Sequence, residues 1–223
     1  MTRPLIIFGT GAFADLAGFY FTHDGNRQVV AYALDGDRLA GRGDTFAGKP
    51  VIATEELAAS FPPGTVDAFV AIGYSRCNRA RRDVCARLWG HGYRLVSYVS
   101  PHAITYPTLA VGWNCFVFEA NVIQPFASIG NNVVLWSGNH IGHHSVIEDH
   151  VFIASHAVVS GHCRVGEGAF IGVNATLHDG TTIGNYSVVG AGATVKGDNA
   201  EDGLYPGETT KRSGVPASRL RGL

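Results

Sequence analysis

The sequence predicts an N-terminal α/β domain joined to a parallel β-helix, on three observations. Aliphatic residues recur at every sixth position from Val111 to Val195 without a break. Before residue 100 that period is absent, and short apolar runs alternate with amphipathic stretches. Many of the 29 glycines among the 223 residues fall in the repeat, where tight corners are expected to use their conformational freedom.

In the first half, Pro4 to Phe8 (PLIIF) is an apolar run stopped by Gly9-Thr10-Gly11, and reads as a strand. Ala12 to Tyr20 suits a helix, and Val29 to Leu34 (VVAYAL), ending at Asp35, a second strand. Thr54 is placed to cap a short helix, EELAAS, whose first acidic residues suit a helix N-terminus. Ala68 to Ile72, ending at Gly73, reads as a third strand, Ser75 to Leu88 as a basic amphipathic helix, and Tyr93 to Tyr98 as a further strand. Strands alternating with helices imply a parallel sheet with crossover helices. Ligands of such sheets sit beyond the carboxyl ends of the strands, which here carry Gly9 to Phe13, Asp35-Gly36 and Gly73-Tyr74. Ser100-Pro101-His102 closes this domain, giving expected boundaries of 1–100 and 101–223.

In the second half the repeating positions are Val111, Val117, Ile123, Ile129, Leu135, Ile141, Ile147, Ile153, Val159, Val165, Ile171, Leu177, Ile183, Val189 and Val195. A helix places apolar residues at mixed spacings of three and four, and a strand at two. A period of six means short flat strands stacked as rungs of a solenoid. Six residues per face and three faces per turn predict about five coils over 104–197. Small residues often stand two places before the aliphatic one, as at Cys115, Ala127, Cys163 and Ala175, and fit a narrow interior.

Composition narrows the function classes. The net charge of −1 argues against a nucleic-acid partner. There is no run of eighteen apolar residues, so no membrane span is expected. The opening MTRPLIIFGTG is too short in its apolar part to read as a signal peptide, and the expected location is the cytoplasm. Cys77, Cys85, Cys115 and Cys163 form no CxxC pair and read as reduced packing residues.

Six of the ten histidines lie between residues 140 and 162, which makes this segment the candidate for chemistry. His144, His150, His156 and His162 share one repeat phase, and the period puts His144 and His162 on one corner, one coil apart. It likewise stacks Gly161 over His143. A base, a metal site and ordinary polar corner residues all remain possible readings at this point.

The string HHSVIEDHVFIASHAVVSGHC, following Gly142, resembles the left-handed β-helix acyltransferases. With the glycine-rich first strand and the whole layout, the chain is similar to the bacterial nucleotide-sugar acetyltransferases. These include UDP-4-amino-sugar and GDP-perosamine N-acetyltransferases and sialic-acid O-acetyltransferase-like proteins. The resemblance implies a Rossmann-like first domain, a left-handed β-helix, a homotrimer, and N-acetylation of a nucleotide-linked amino sugar with acetyl-CoA as co-substrate, in polysaccharide or glycan synthesis. It casts His143 as general base and Gly161 as backbone donor to the oxyanion. Family members carry an acidic residue after the base, where this chain has His144. Gly11, Ala12, Phe13, Asp35, Gly36 and Gly73 match the nucleotide-sugar side. Trp136, where the 4-amino-sugar enzymes have Asn, is a candidate to stack on a sugar.

Acetyl-CoA is expected along Phe152, Gly161, Val173 and Ala191, with Lys196, Lys211, Arg212 and Arg219 as basic candidates for its phosphates. GVPASRL resembles the family's C-terminal Gly-x-Pro-Ala-Lys segment, with Ser218 in place of Lys. His162, nineteen residues after His143, has the spacing of two functional histidines in the acyltransferase that begins lipid A synthesis, so a sugar O-acetyltransferase is the alternative. A non-catalytic assembly protein is a second alternative. GTGAFA also approximates a dinucleotide-binding GxGxxA, but about 100 residues with no second α/β domain argue against a dehydrogenase. No metal is expected: the hexapeptide carbonic anhydrases use two zinc-binding histidines five residues apart, and no histidine pair here has that spacing.

Overall fold

The computed structural model describes residues 2–41, 43–216 and 219. The first half contains β1 (Leu5–Phe8), α1 (Ala12–His23), β2 (Val29–Leu34), β3 (Thr45–Phe46), β4 (Lys49–Ala53), α2 (Leu57–Ser60), β5 (Asp67–Val70), α3 (Arg79–Gly90) and β6 (Arg94–Leu95). They build a six-stranded sheet in the order β3-β4-β2-β1-β5-β6. The β3–β4 pair is antiparallel and the other neighbours are parallel. Side chains alternate across a strand. Leu5 and Ile7 therefore meet α1 through Ala14, Ala17 and Phe21, while Ile6 and Phe8 meet α3 through Val84, Cys85 and Leu88. A sheet covered on both faces explains why its central strands are apolar throughout.

Local chemistry moves three expected boundaries. Helix α3 begins at Arg79 rather than Ser75, because Arg76, Cys77 and Asn78 hold left-handed φ values of 54°, 50° and 62°. Thr54 does not cap: its hydroxyl donates to the Leu34 carbonyl at 2.9 Å and ties the β4 end to β2. The run Tyr93 to Tyr98 splits, with Arg94–Leu95 completing the sheet and Tyr98–Val99 pairing with Phe116–Val117 as the first rung of the solenoid.

The solenoid has three faces. The first face carries Phe116–Val117, Val134–Leu135, Phe152–Ile153, Phe170–Ile171 and Val188–Val189, with Tyr98–Val99 and Leu204–Tyr205 at its ends. The second carries Val122–Ile123, His140–Ile141, Val158–Val159, Thr176–Leu177 and Thr194–Val195. The third carries Ala110–Val111, Ser128–Ile129, Val146–Ile147, Arg164–Val165 and Thr182–Ile183. Stacked neighbours up to Val195 differ by eighteen residues, as in Leu135 with Ile153 and Ile141 with Val159, whereas Leu204–Tyr205 stacks sixteen residues on from Val188–Val189. The second residue of each pair points inward. All fifteen periodic aliphatics are buried except Val111, which is half-buried. The small residues two places earlier fill the space between them.

The corner glycines serve a purpose other than the expected one. Glycines following the aliphatic residue, such as Gly142 and Gly172, do not have positive φ. A Cβ on Gly142 would lie 2.4 Å from the Ser160 carbonyl carbon, and one on Gly172 would lie 2.6 Å from the Ala191 nitrogen. They are glycine because the next winding passes too close for a side chain. The left-handed residue of each corner comes two places later and is mostly not glycine: Asn132, His144, His150, His156, His162, Asn174 and Tyr186 all have φ between 55° and 65°, apart from Tyr186 at 54°. Asn is among the few side chains that tolerate this region, and His is also enriched there.

The α/β half packs on the first face. Phe13, Phe21 and Phe69 meet Phe116 with ring centroids 5.6, 5.7 and 5.4 Å away. Beside this aromatic core lies Arg81, fully buried, with no carboxylate partner among the described residues. Its guanidinium donates to Asn132 Oδ1 at 3.0 Å, and to the carbonyls of His150 at 2.9 Å, Gly73 at 3.0 Å and Asn132 at 3.2 Å. Burial lowers its pKa to about 10, so it stays charged at neutral pH. One side chain on α3 thereby holds two windings and the β5 end together. Asn114 adds a second tie, accepting from the Val70 N–H at 2.7 Å. Arg81→Leu strands these acceptors in a dry junction and should cost roughly 3 kcal/mol or more. Chemical denaturation followed by far-UV circular dichroism measures this; an unchanged midpoint would show that the junction does not depend on Arg81.

Candidate active site

The second and third faces meet at a corner opposite the first face, and three histidines gather there. The chain leaves Ile141, turns through residues 142–145, and enters the third face at Val146. The His143 N–H donates to Gln124 Oε1 at 2.9 Å, which fixes the backbone from the winding before. The His143 and His144 Nδ1 atoms lie 3.2 Å apart. One winding on, the His162 N–H donates to the His143 carbonyl at 2.9 Å. The His162 ring stacks on His144 at 4.9 Å and 14°, and meets His143 edge-on at 5.0 Å. All three are exposed, and Phe126, also exposed, flanks His144 at 4.8 Å.

A close Nδ1–Nδ1 pair must share one proton. When His143 donates it, the His143 Nε2 is left with a free lone pair, the form a general base needs. His144 is then the acceptor of that proton, though a neutral imidazole attracts it less than a carboxylate would.

Gly161 lies over this ring as the period requires. A Cβ there would stand 2.7 Å from His143 Cε1 and 2.9 Å from Nε2, so only glycine leaves the imidazole its place. The resemblance casts Gly161 as the backbone donor to the oxyanion. Its N–H already donates to Asp179 Oδ1 at 2.7 Å. This belongs to a pattern: Asn131 accepts from the Trp113 N–H, Asp149 from Asn131, and Asn185 from Glu167, each eighteen residues on. The corner leaves one N–H unpaired, and a side chain of the next winding takes it. Asp179 and Gln124 were not singled out from the sequence; the intervals of eighteen and nineteen were the available signal.

The other expected residues fall into separate places. Gly11 is the residue before α1, exposed, with Ala12 as the first helical residue. The first-turn N–H groups of that helix favour an anion, and a cleft of about 280 Å³ lined by Thr10, Gly43, Thr45, Phe46 and Val51 adjoins them. The Phe13 ring turns away into the junction, against Phe116 and Trp136. Asp35 pairs with Arg87 and accepts from the Thr54 hydroxyl at 3.2 Å. The Gly36 N–H donates to Glu55 Oε2 at 3.1 Å, and Gly73 is half-buried, its carbonyl held by Arg81.

Trp136 packs on Phe118 at 4.4 Å, and Phe152 is 4% exposed on the same covered face, next to Phe170. Both rings pack on the first face rather than at the histidine corner. Val173 and Ala191 are exposed on the corner between the first and second faces. Lys196 lines a cleft of about 650 Å³ with Thr194, Asn199, Tyr205 and Glu208 at the end of the second face. Lys211 and Arg212 are exposed beyond it, as is Arg219, whereas Ser218 lies outside the described residues. The cysteines are free thiols, and burial raises the pKa of all four, to about 12 at Cys115, which disfavours a nucleophilic thiolate. No described helix is long and apolar enough to cross a membrane.

Residues 126–161 and 162–197 match the family model for the bacterial transferase hexapeptide (six repeats). The chain is similar to the perosamine N-acetyltransferase of Caulobacter crescentus, crystallised with CoA and GDP-perosamine, at 26% identity over 92% of this chain and 94% of that one, with a TM-score of 0.81. Two histidine mutants of that enzyme were crystallised with the same ligands. It is also similar to the acetyltransferase domain of PglB from Neisseria gonorrhoeae in complex with acetyl coenzyme A, at 26% identity over 92% and 96% of the two chains and a TM-score of 0.80. WeeI from Acinetobacter baumannii shares the fold, at 21% identity over 91% and 96% of the chains and a TM-score of 0.68. No curated protein matches the chain in sequence. The hexapeptide match fits a left-handed β-helix, and along nine-tenths of its length the chain is similar to solved acetyltransferases.

Proposed function

We propose that the protein transfers the acetyl group of acetyl-CoA to the amine of a nucleotide-linked amino sugar. The observation that carries this is the corner where His143, freed by Gly161, faces outward from a chain similar over 92% of its length to an enzyme crystallised with CoA and GDP-perosamine. The sugar amine attacks the thioester carbonyl, forming the C–N bond. His143 Nε2 takes the amine proton, and the C–S bond breaks to release CoA, so no acyl-enzyme is needed. Gly161 contributes space for the base, and His144 accepts the His143 Nδ1 proton.

The first domain, 1–100 and Rossmann-like in our reading, holds the nucleotide at the α1 N-terminus, near Gly11, Ala12, Asp35 and Gly36. The solenoid domain, 101–223, is read as five coils. Acetyl-CoA runs along the second face from the histidine corner past Val173 and Ala191 toward Lys196, with Lys211 and Arg212 near its phosphates. The α/β domain covers the first face, whereas the histidine corner lies opposite it. One substrate can meet both regions if they come from neighbouring copies, which supports a homotrimer. Exposed Phe126, Val146 and Val158 on or beside the two open faces suit such packing. Free, largely buried thiols suit a cytoplasmic protein of surface-polysaccharide precursor synthesis.

Thiol release from acetyl-CoA is expected with UDP-, dTDP- or GDP-linked amino sugars and to be lost when a hydroxyl replaces the amine. Retained release with the hydroxyl would favour O-acetylation, and no release with any of them would favour an assembly role. His143→Ala should lower kcat about 10²–10⁴-fold while acetyl-CoA affinity, read by calorimetry, stays near wild type; wild-type turnover would dismiss the base. Gly161→Ala pushes the ring aside and should lower kcat by up to about 100-fold with little change in melting temperature. Light scattering should give three copies per particle, and an active monomer would contradict a shared site.

A further inference from the structure

We propose that His143, His144 and His162 form a binding site for a late first-row transition-metal ion such as Zn²⁺ or Ni²⁺, and that occupancy of this site inhibits the enzyme. One ligand nitrogen from each residue lies within 4.8 Å of the other two. Ligands around a tetrahedral zinc stand roughly 3.4 Å apart, given metal–nitrogen distances of about 2.0–2.1 Å. The Nδ1 atoms of His143 and His144 are already at 3.2 Å, so only the His162 ring has to move in. It is exposed, and a side-chain rotation suffices.

The backbone is set for this. His144 and His162 both occupy the left-handed corner position, with φ of 59° and 56°, one winding apart. The bond from the His162 N–H to the His143 carbonyl holds the two corners in register. Three imidazoles without a carboxylate select zinc, nickel, copper or cobalt over magnesium or calcium, which take oxygen ligands. The nearby carboxylate of Asp179 is engaged by the Gly161 N–H and lies outside the donor set. A bound ion uses the lone pairs of the histidines, that of His143 included, so metal and proton transfer exclude each other. The inhibition, but not the binding, rests on His143 being the base.

The full chain without an affinity tag, titrated with ZnCl₂ or NiCl₂ in a calorimeter, should show saturable binding of one ion per chain, and MgCl₂ should show none. Cobalt should give visible absorption bands of a nitrogen-ligated ion. His162→Ala and His144→Ala should each weaken binding about tenfold or more, since loss of even an outer-shell partner costs that much. His156→Ala, at another corner, should bind like wild type. Absence of saturable binding, or wild-type affinity in His162→Ala, overturns the site. Zinc should slow acetyl transfer by wild type more than by His162→Ala. Binding that needs all three histidines but leaves transfer untouched would uphold the site as a metal site and overturn its inhibitory role together with His143 as base.

Discussion

The eighteen-residue winding is the constraint on which the rest of this structure depends. Parallel pairing sets neighbouring rungs at the spacing of strands in a sheet, so from Tyr98 to Val195 residue n lies beside residue n + 18. The interior becomes a column of aliphatic and small side chains with no room for drift. The outside becomes a lattice in which every corner residue has a fixed neighbour. The crowding at Gly142 and Gly172, the histidine stack, the side-chain caps on corner N–H groups and the place of Gly161 over His143 all follow from that interval. A single inserted residue between 143 and 161 would turn every later inward side chain out of phase.

The α/β half rests on the solenoid by a different kind of contact. An aromatic layer supplies apolar area and edge-to-face packing. Arg81 supplies direction, because its planar donors fit only carbonyls placed around it as the corner at Asn132 and His150 places them. This leaves the carboxyl ends of the sheet's strands and the histidine corner on different sides of one chain. Under the proposed function, the chemistry of the corner and recognition at the strand ends are joined through assembly rather than through a cleft within a single copy.

Much of this was legible in the sequence, and the rest was hidden for physical reasons. The period gave the rungs, the inward residues and the pairing of His143 with Gly161, because stacking is arithmetic once the period is known. The same arithmetic places His144 over His162, but whether three rings converge depends on where the side chains turn. The role of the corner glycines was misread because glycine signals either unusual φ or close approach, and only coordinates tell which. The start of α3 was masked by three left-handed residues of which only Asn78 commonly adopts that conformation. Arg81 looked like one basic residue among several on an amphipathic helix, and its burial depends on a junction formed by the other half of the chain. Phe152 and Trp136 looked available for ligands because nothing local marks the first face as the covered one. The Asp179 contact with the Gly161 N–H was within reach of the eighteen-residue rule.

The most direct measurement is a crystal structure of the protein with CoA and an amino-sugar nucleotide. The sugar amine is expected within about 2.6–3.2 Å of His143 Nε2, with the nucleotide on the α/β domain of one copy and the histidine from another. An amine held far from that corner, or a nucleotide sugar bound entirely within one chain away from His143, would contradict it.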